Sequence, residues 1–179
     1  GGKALFDLAN ARPEPIPVFA EMGSTNPVFV LPEILKEKTI EIAAGMATSI
    51  AQGVGQFCTN PGLAFIQKSE SGDEFCNQLV QNISETPAGV MLTAGIGKTY
   101  QNTIASTVAI ENVTVLASGI GSDNVNAGVA TVFKASVDTY FKTPTLAEEN
   151  FGPSQVLVEA GTKEELLKVA RNLQGHLTA

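Results

Sequence analysis

Cys58 lies in the run Gly53-Val54-Gly55-Gln56-Phe57-Cys58-Thr59-Asn60-Pro61-Gly62, and well upstream Glu21 lies in Phe19-Ala20-Glu21-Met22-Gly23-Ser24. A small-residue turn that ends a helix in a cysteine exposes the sulfur instead of burying it. A carboxylate at the end of an apolar strand, followed by Gly-Ser, is set up to face the same cleft. Together they read as a thiol nucleophile and a base that activates water. The thiolate is the reactive form, and its pKa falls near positive charge or backbone N–H groups. No Lys, Arg or His neighbours Cys58 in sequence, so activation must come from backbone amides, a cationic cofactor or residues elsewhere. Taken singly, such a cysteine is an ordinary semi-buried thiol in most proteins, and Glu21 an ordinary surface carboxylate.

Other chemistries fit less well. A cysteine hydrolase needs a histidine to take the thiol proton, and the single histidine, His176, sits at the far end of the chain as a surface or strand residue. Two cysteines and one histidine are scattered without metal-ligand spacing, so no metal site is expected. Gly95-Ile96-Gly97-Lys98-Thr99 imitates the end of a phosphate-binding loop, but its first glycine falls on Leu92 and the segment reads as helix. Gly119-Ile120-Gly121 has Asn124 in place of the third glycine of a dinucleotide turn. Both read as plain structure. A hydrolase or acyltransferase without nicotinamide, and a non-catalytic structural module, stay open on these residues alone.

The elements that must position the pair are legible from pattern. Residues 2–11 read as a short helix, closed by Arg12-Pro13-Glu14-Pro15-Ile16-Pro17. Val18-Phe19-Ala20 and Val28-Phe29-Val30-Leu31 read as strands on either side of a turn carrying Glu21. Pro32 opens a long helix with Ile42, Met46, Ile50 and Val54 in one stripe, running out just before Cys58. Leu63–Ile66 is the next strand and Ser71–Ile83 a helix, with Cys76 on its apolar side as a structural thiol. A third helix covers Met91–Ser106. Val113–Ala117, Thr131–Ala135 and Gln155–Glu159 are further strands, with a polar loop over Thr143–Pro153. Thr162-Lys163-Glu164-Glu165 has capping-box spacing before a stripe of Leu166, Ala170 and Leu173. Strands alternating with helices predict an α/β fold with a largely parallel sheet flanked by helices.

Length and composition set the frame. The chain has 179 residues, 44% of them apolar, enough for a single domain with a sizeable core. Its apolar runs are too short to span a membrane. A net charge of −7 with no basic stripe makes nucleic acid an unexpected partner. Two cysteines without a secretory leader fit reduced thiols and a cytoplasmic protein. The chain starts at Gly1-Gly2 on a helical pattern and ends as an apolar strand could begin, so both ends read as cut from something longer.

Taken together, the motifs resemble the aldehyde dehydrogenase superfamily. Phe19-Ala20-Glu21-Met22-Gly23-Ser24 is similar to its glutamate signature and Gly55-Gln56-Phe57-Cys58-Thr59 to its cysteine signature. Glu148-Glu149-Asn150-Phe151-Gly152-Pro153 is similar to its Glu-x-Phe-Gly-Pro loop. The opening residues Gly1–Ala9 with Arg12–Pro17 most resemble the bacterial α-ketoglutarate semialdehyde (2,5-dioxopentanoate) dehydrogenases, then the NADP-linked fatty aldehyde dehydrogenases.

The resemblance implies a single catalytic domain over residues 1–179, without the nucleotide-binding domain upstream or the final oligomerisation segment downstream. It implies Cys58 as the nucleophile that forms a thiohemiacetal and then a thioester, with hydride passing to NADP or NAD. Glu21 becomes the base for the hydrolytic water, Glu149 a ligand of the nicotinamide ribose, and Phe151 its packing partner. Phe57 would line the aldehyde pocket. The Cys58 N–H would serve the oxyanion, with an Asn other than Asn60 as second donor. Members that pass the acyl group to coenzyme A lack the glutamate, so Glu21 implies release of a carboxylic acid. A small-molecule aldehyde substrate and a homo-oligomer in the intact protein are implied, and the segment alone is expected to be inactive.

Overall fold

Ser69, Thr93, Ser136 and Thr162 each place a side-chain oxygen on the backbone N–H three residues ahead, at Gly72, Ile96, Thr139 and Glu165. That satisfies an amide left orphaned at a helix start, and it fixes where four helices begin. The computed structural model describes residues 1–178; the strand start expected around Ala179 lies partly outside them.

The elements in chain order are α1 (Gly2–Asn10), β1 (Val28–Val30), α2 (Pro32–Ala51), β2 (Leu63–Gln67), α3 (Glu70–Ser84), β3 (Gly89–Val90) and α4 (Ala94–Val108). There follow β4 (Thr114–Ser118), β5 (Ala127–Gly128), β6 (Thr131–Ser136), α5 (Val137–Lys142), β7 (Ser154–Ala160) and α6 (Lys163–Asn172). The main sheet has the order β1-β2-β7-β6-β4, parallel except for β4, which runs antiparallel to β6; β3 and β5 form a separate two-stranded ribbon. The expected α/β fold with a largely parallel sheet is present.

Helices cover both faces, as a buried parallel sheet requires. On one side Leu35, Met46 and Ile50 of α2 meet Phe75, Leu79 and Ile83 of α3 over Ala64, Ile66 and Leu157. On the other, Phe65, Phe133 and Val158 pack against Tyr140 of α5 and Leu166 and Val169 of α6. Phe65 stacks on Phe29 at 4.8 Å and meets Tyr140 edge-on at 5.4 Å. The capping spacing before α6 holds with one change: the Glu165 carboxylate accepts from the Gly161 N–H at 2.6 Å, one residue before the cap. No helix among the described residues is long and apolar enough to cross a membrane.

Three expectations need correction, and one element was missed. Val18-Phe19-Ala20 forms no strand; no neighbouring strand supplies a ladder, and Phe19 stands 96% exposed. Val54 lies outside α2, which stops at Ala51 and gives way to a 3-10 turn over Gln52–Gly55. The third helix starts at Ala94, not Met91, because Met91 closes the β3–β5 ribbon by bonding Asn126. Helix α5 was hidden: six residues are too few for a 3.6-residue period to register.

Phe65→Ala is expected to cost about 3–5 kcal/mol, since it empties a fully enclosed site. Breaking the exposed Lys142–Asp138 pair should cost under about 1 kcal/mol. Urea unfolding followed by circular dichroism compares the two; equal midpoints would contradict this account of the core.

Candidate active site

Strands β1, β2 and β7 are sequential neighbours in the sheet and run parallel. Each is entered from one of the three chemistry-bearing segments: β1 from Glu21–Pro27, β2 from Cys58–Gly62, and β7 from Glu148–Pro153. Parallel pairing therefore gathers all three segments at the amino ends of adjacent strands, although they span most of the chain. The register, Val28 with Ala64 and Leu63 with Val156, aligns their starts closely.

Asn26 joins the first two segments. Its side chain is buried and donates to the Cys58 carbonyl at 2.9 Å and to the Asn60 carbonyl at 2.8 Å. Its Oδ1 accepts from the Ser24 hydroxyl and from the Thr178 N–H and hydroxyl. Its φ of 45° lies in the left-handed region, which Asn tolerates better than most residues. The sequence carried one signal for this role, a polar Ser-Thr-Asn run ahead of a proline that turns out to be buried throughout.

The cysteine turn is built from backbone close approach. Gly53, Val54 and Gly55 follow one another at φ of 57°, 58° and 62°. A Cβ on Gly55 would fall 2.2 Å from the Gly152 carbonyl carbon, so the turn and the Glu149–Phe151 loop touch main chain to main chain. Gly152 lies equally close to the Tyr100 ring, and Tyr100 donates to the Val129 and Pro153 carbonyls. Phe57 folds over Gly53, where a Cβ would meet its ring at 2.3 Å.

Cys58 itself is exposed, and its N–H donates to no protein acceptor among the described residues. The Asn60 amide donates instead to the Ile50 carbonyl at the end of α2, turned away from an oxyanion role. Behind the loop, the buried Gln155 amide donates to the Pro61 carbonyl at 2.8 Å and to Met46 Sδ at 3.1 Å.

Glu149 reaches back to the first segment: a Cβ on Gly23 would lie 3.1 Å from its Oε2. Ser24, Phe57, Asn60, Gly62, Glu149 and Phe151 line a small cleft between the three segments. Cys58 stands beside it on the turn, and Glu21 is exposed two residues before Gly23. The cleft thus pairs an aromatic face, Phe151, with a carboxylate, Glu149, over a glycine that keeps the wall low. By chemistry alone, a carboxylate accepts from a ribose hydroxyl and an aromatic face stacks on a flat ring; the cleft between them is itself only about 10 Å³.

Of the remaining candidates, His176 alone reaches this cleft, through Thr25, which lines it. His176 approaches Thr25, with its Nδ1 3.4 Å from the Thr25 N and Oγ1. Lys98 lies inside α4, and Gly97 there closes on Asn126, so the segment is helix and not a phosphate loop. A broader depression of about 1360 Å³ opens at the other end of the sheet, lined by Glu33, Lys36, Glu70 and Asp73. It holds none of the candidate residues and lies between α2 and α3.

Known proteins resemble the chain in sequence and in fold. The model of the Aldehyde dehydrogenase family matches residues 6–179. The chain is 37% identical over its whole length to "Alpha-ketoglutaric semialdehyde dehydrogenase 2" of Azospirillum brasilense. It is 36% identical, again over its whole length, to "Alpha-ketoglutaric semialdehyde dehydrogenase" of Acinetobacter baylyi. It spans 34% of the length of each of these relatives. An NAD-dependent benzaldehyde dehydrogenase from Corynebacterium glutamicum has the same fold, with a TM-score of 0.75 at 20% identity over 94% of this chain and 37% of that one.

Two outcomes are expected. Asn26→Asp keeps the Oδ1 acceptor but removes both donors, and should lower stability by about 1–3 kcal/mol in denaturant titration. Tyr100 and Tyr140 are the two tyrosines, and burial pushes both phenols up from their usual value. The stability they lend is present below the unfolded value of about 10 and is lost as pH rises through the folded values. Absorbance titration should therefore show phenolate appearing above the usual value of about 10, that of Tyr100 last; reversible ionisation of both near pH ~10 would contradict the packing of Tyr100.

Proposed function

We propose, on the premise that this chain belongs to the aldehyde dehydrogenase family, that it forms the catalytic part of an enzyme oxidising an aldehyde to a carboxylic acid with NADP or NAD. The observation that carries this reading is the meeting of the Glu21, Cys58 and Glu149–Phe151 segments at the amino ends of adjacent strands, with Glu149 lying on Gly23. The Cys58 thiolate attacks the aldehyde carbon and forms a C–S bond. The carbonyl oxygen takes the electron pair and is held by the free Cys58 N–H. Glu149 and Phe151 would hold the ribose and ring of the nicotinamide, which supplies the hydride acceptor when bound. Glu21 takes a proton from water for attack on the acyl–cysteine, releasing the acid and restoring the thiol.

The names of the two curated relatives favour α-ketoglutarate semialdehyde as the substrate. A cytoplasmic location and a homo-oligomeric intact enzyme belong to the same reading. A cysteine hydrolase is less well supported, because His176 contacts Thr25 and makes no contact with Cys58 among the described residues.

In a full-length enzyme containing this chain, Cys58→Ser is expected to abolish cofactor reduction with α-ketoglutarate semialdehyde. Glu21→Gln should leave a single-turnover burst but slow the steady state by about 100-fold or more. Activity on a long-chain aldehyde alone would replace the substrate, and reduction that persists in Cys58→Ser would overturn the reading. Iodoacetamide should label exposed Cys58 at least about tenfold faster than Cys76, which is buried and whose thiol burial pushes up. Equal rates would favour a merely structural cysteine.

A further inference from the structure

Val54 is a β-branched residue at φ 58° and ψ 36°, a conformation that glycine adopts freely and valine rarely does. It stands four positions before Cys58, in the middle of the three-residue left-handed turn. Its neighbours in the turn are both glycines, so the chain could have met the backbone requirement with a third. The reason for valine lies in what its methyl groups touch.

Gly89 of β3 and Gly128 of β5 face each other in the ribbon. A Cβ on Gly89 would fall 2.5 Å from Val54 Cγ2, and one on Gly128 would fall 2.8 Å from Val54 Cγ1. The isopropyl group therefore fills a slot that exists only because both ribbon residues lack side chains. Met91 Sδ and Pro153 Cδ close the slot beside Gly128, and Pro153 ends the loop that carries Glu149 and Phe151. On the other side of the turn, the Leu92 N–H donates to Gln56 Oε1 at 2.9 Å, so the ribbon grips the cysteine turn at a second point.

We infer that Val54 is a positioning residue: its side chain, seated in the Gly89–Gly128 slot, holds the left-handed turn in the conformation that presents the Cys58 thiol to the cleft. The inference rests on the reading of Cys58 as nucleophile. A glycine at this position would satisfy the dihedrals but leave the turn free to leave them; an alanine would keep the strain and empty the slot. Val54→Thr keeps both the branched shape and the strain.

The test uses a full-length enzyme containing this chain. Val54→Ala should lower kcat by about tenfold or more with KM for the aldehyde within about twofold, the pattern of a misplaced nucleophile. The same variant should slow alkylation of Cys58 by iodoacetamide at least about threefold while Cys76 stays protected, which reports on the turn without catalysis. Val54→Thr should restore both. Gly89→Ala, which crowds the slot from the ribbon side with Val54 intact, should reproduce the loss of kcat. A Val54→Ala enzyme with parent kcat and parent alkylation overturns the inference, as does a Thr variant no better than Ala. A Cys58→Ser enzyme that keeps its activity would sink the nucleophile reading instead, and the alkylation rates would still judge Val54.

Discussion

Both hydrogens of the Asn26 amide are given to carbonyls of the Cys58–Asn60 turn, and its oxygen is shared among donors from Ser24 and Thr178. The group is buried, so every one of these bonds replaces one that water would otherwise make. A net gain of about 1 kcal/mol per bond understates its importance. Removing one partner leaves the others desolvated, and that penalty is what makes the junction specific. Without it, the one hydrogen bond between the entry to β1 and the entry to β2 among the described residues would be the main-chain bond from Leu63 to Thr25. The cleft, the thiol and the exposed carboxylate all hang from these two entries.

The cleft lies at the amino ends of parallel strands, whereas open α/β sheets ordinarily bind ligands outside the carboxyl ends. Here the carboxyl ends lead into α2, α3 and α6, and the depression between α2 and α3 is lined by Glu33, Lys36, Glu70 and Asp73 and by none of the candidate residues. The loops entering β1, β2 and β7 instead carry the glycines, and close main-chain approach needs glycine. Cys58, Glu149 and Phe151 sit on entry loops tied to β2 and β7, strands that are buried along most of their length. The rigidity of the sheet is thereby passed to the loops without long side chains in between.

The fold and its motifs differed in how far they could be read from sequence. Alternation of apolar runs with amphipathic stretches was enough for the parallel sheet, because buried strands and capped helices announce themselves locally. The expected start of α3 at Ser71 fell one residue inside the observed Glu70, which Ser69 caps, and the α6 boundary followed from Thr162 and Glu165. The three site segments were visible as motifs, but their meeting depends on strand order, which no local pattern encodes. The support residues stayed hidden for the same reason: Asn26, Gln155 and Tyr100 act across large sequence separations. Val18–Ala20 misled in the opposite direction, since β propensity without a pairing partner makes no strand. Val54 misled because an apolar residue at helical spacing looked like one more core position, when the two glycines beside it had already ended the helix.

Gly55 meets the bare backbone of Gly152 at a separation that leaves no room for a side chain on Gly55, and the Tyr100 ring leaves none on Gly152. Two loops joined in this way have no adjustable part at their junction. Mutational drift can therefore reshape the rim, at Phe57 or Phe151, but it cannot re-aim the thiol relative to the carboxylate loop in small steps. Divergence among proteins sharing this arrangement should concentrate on what the cleft admits, with the spacing of its reacting groups inherited unchanged.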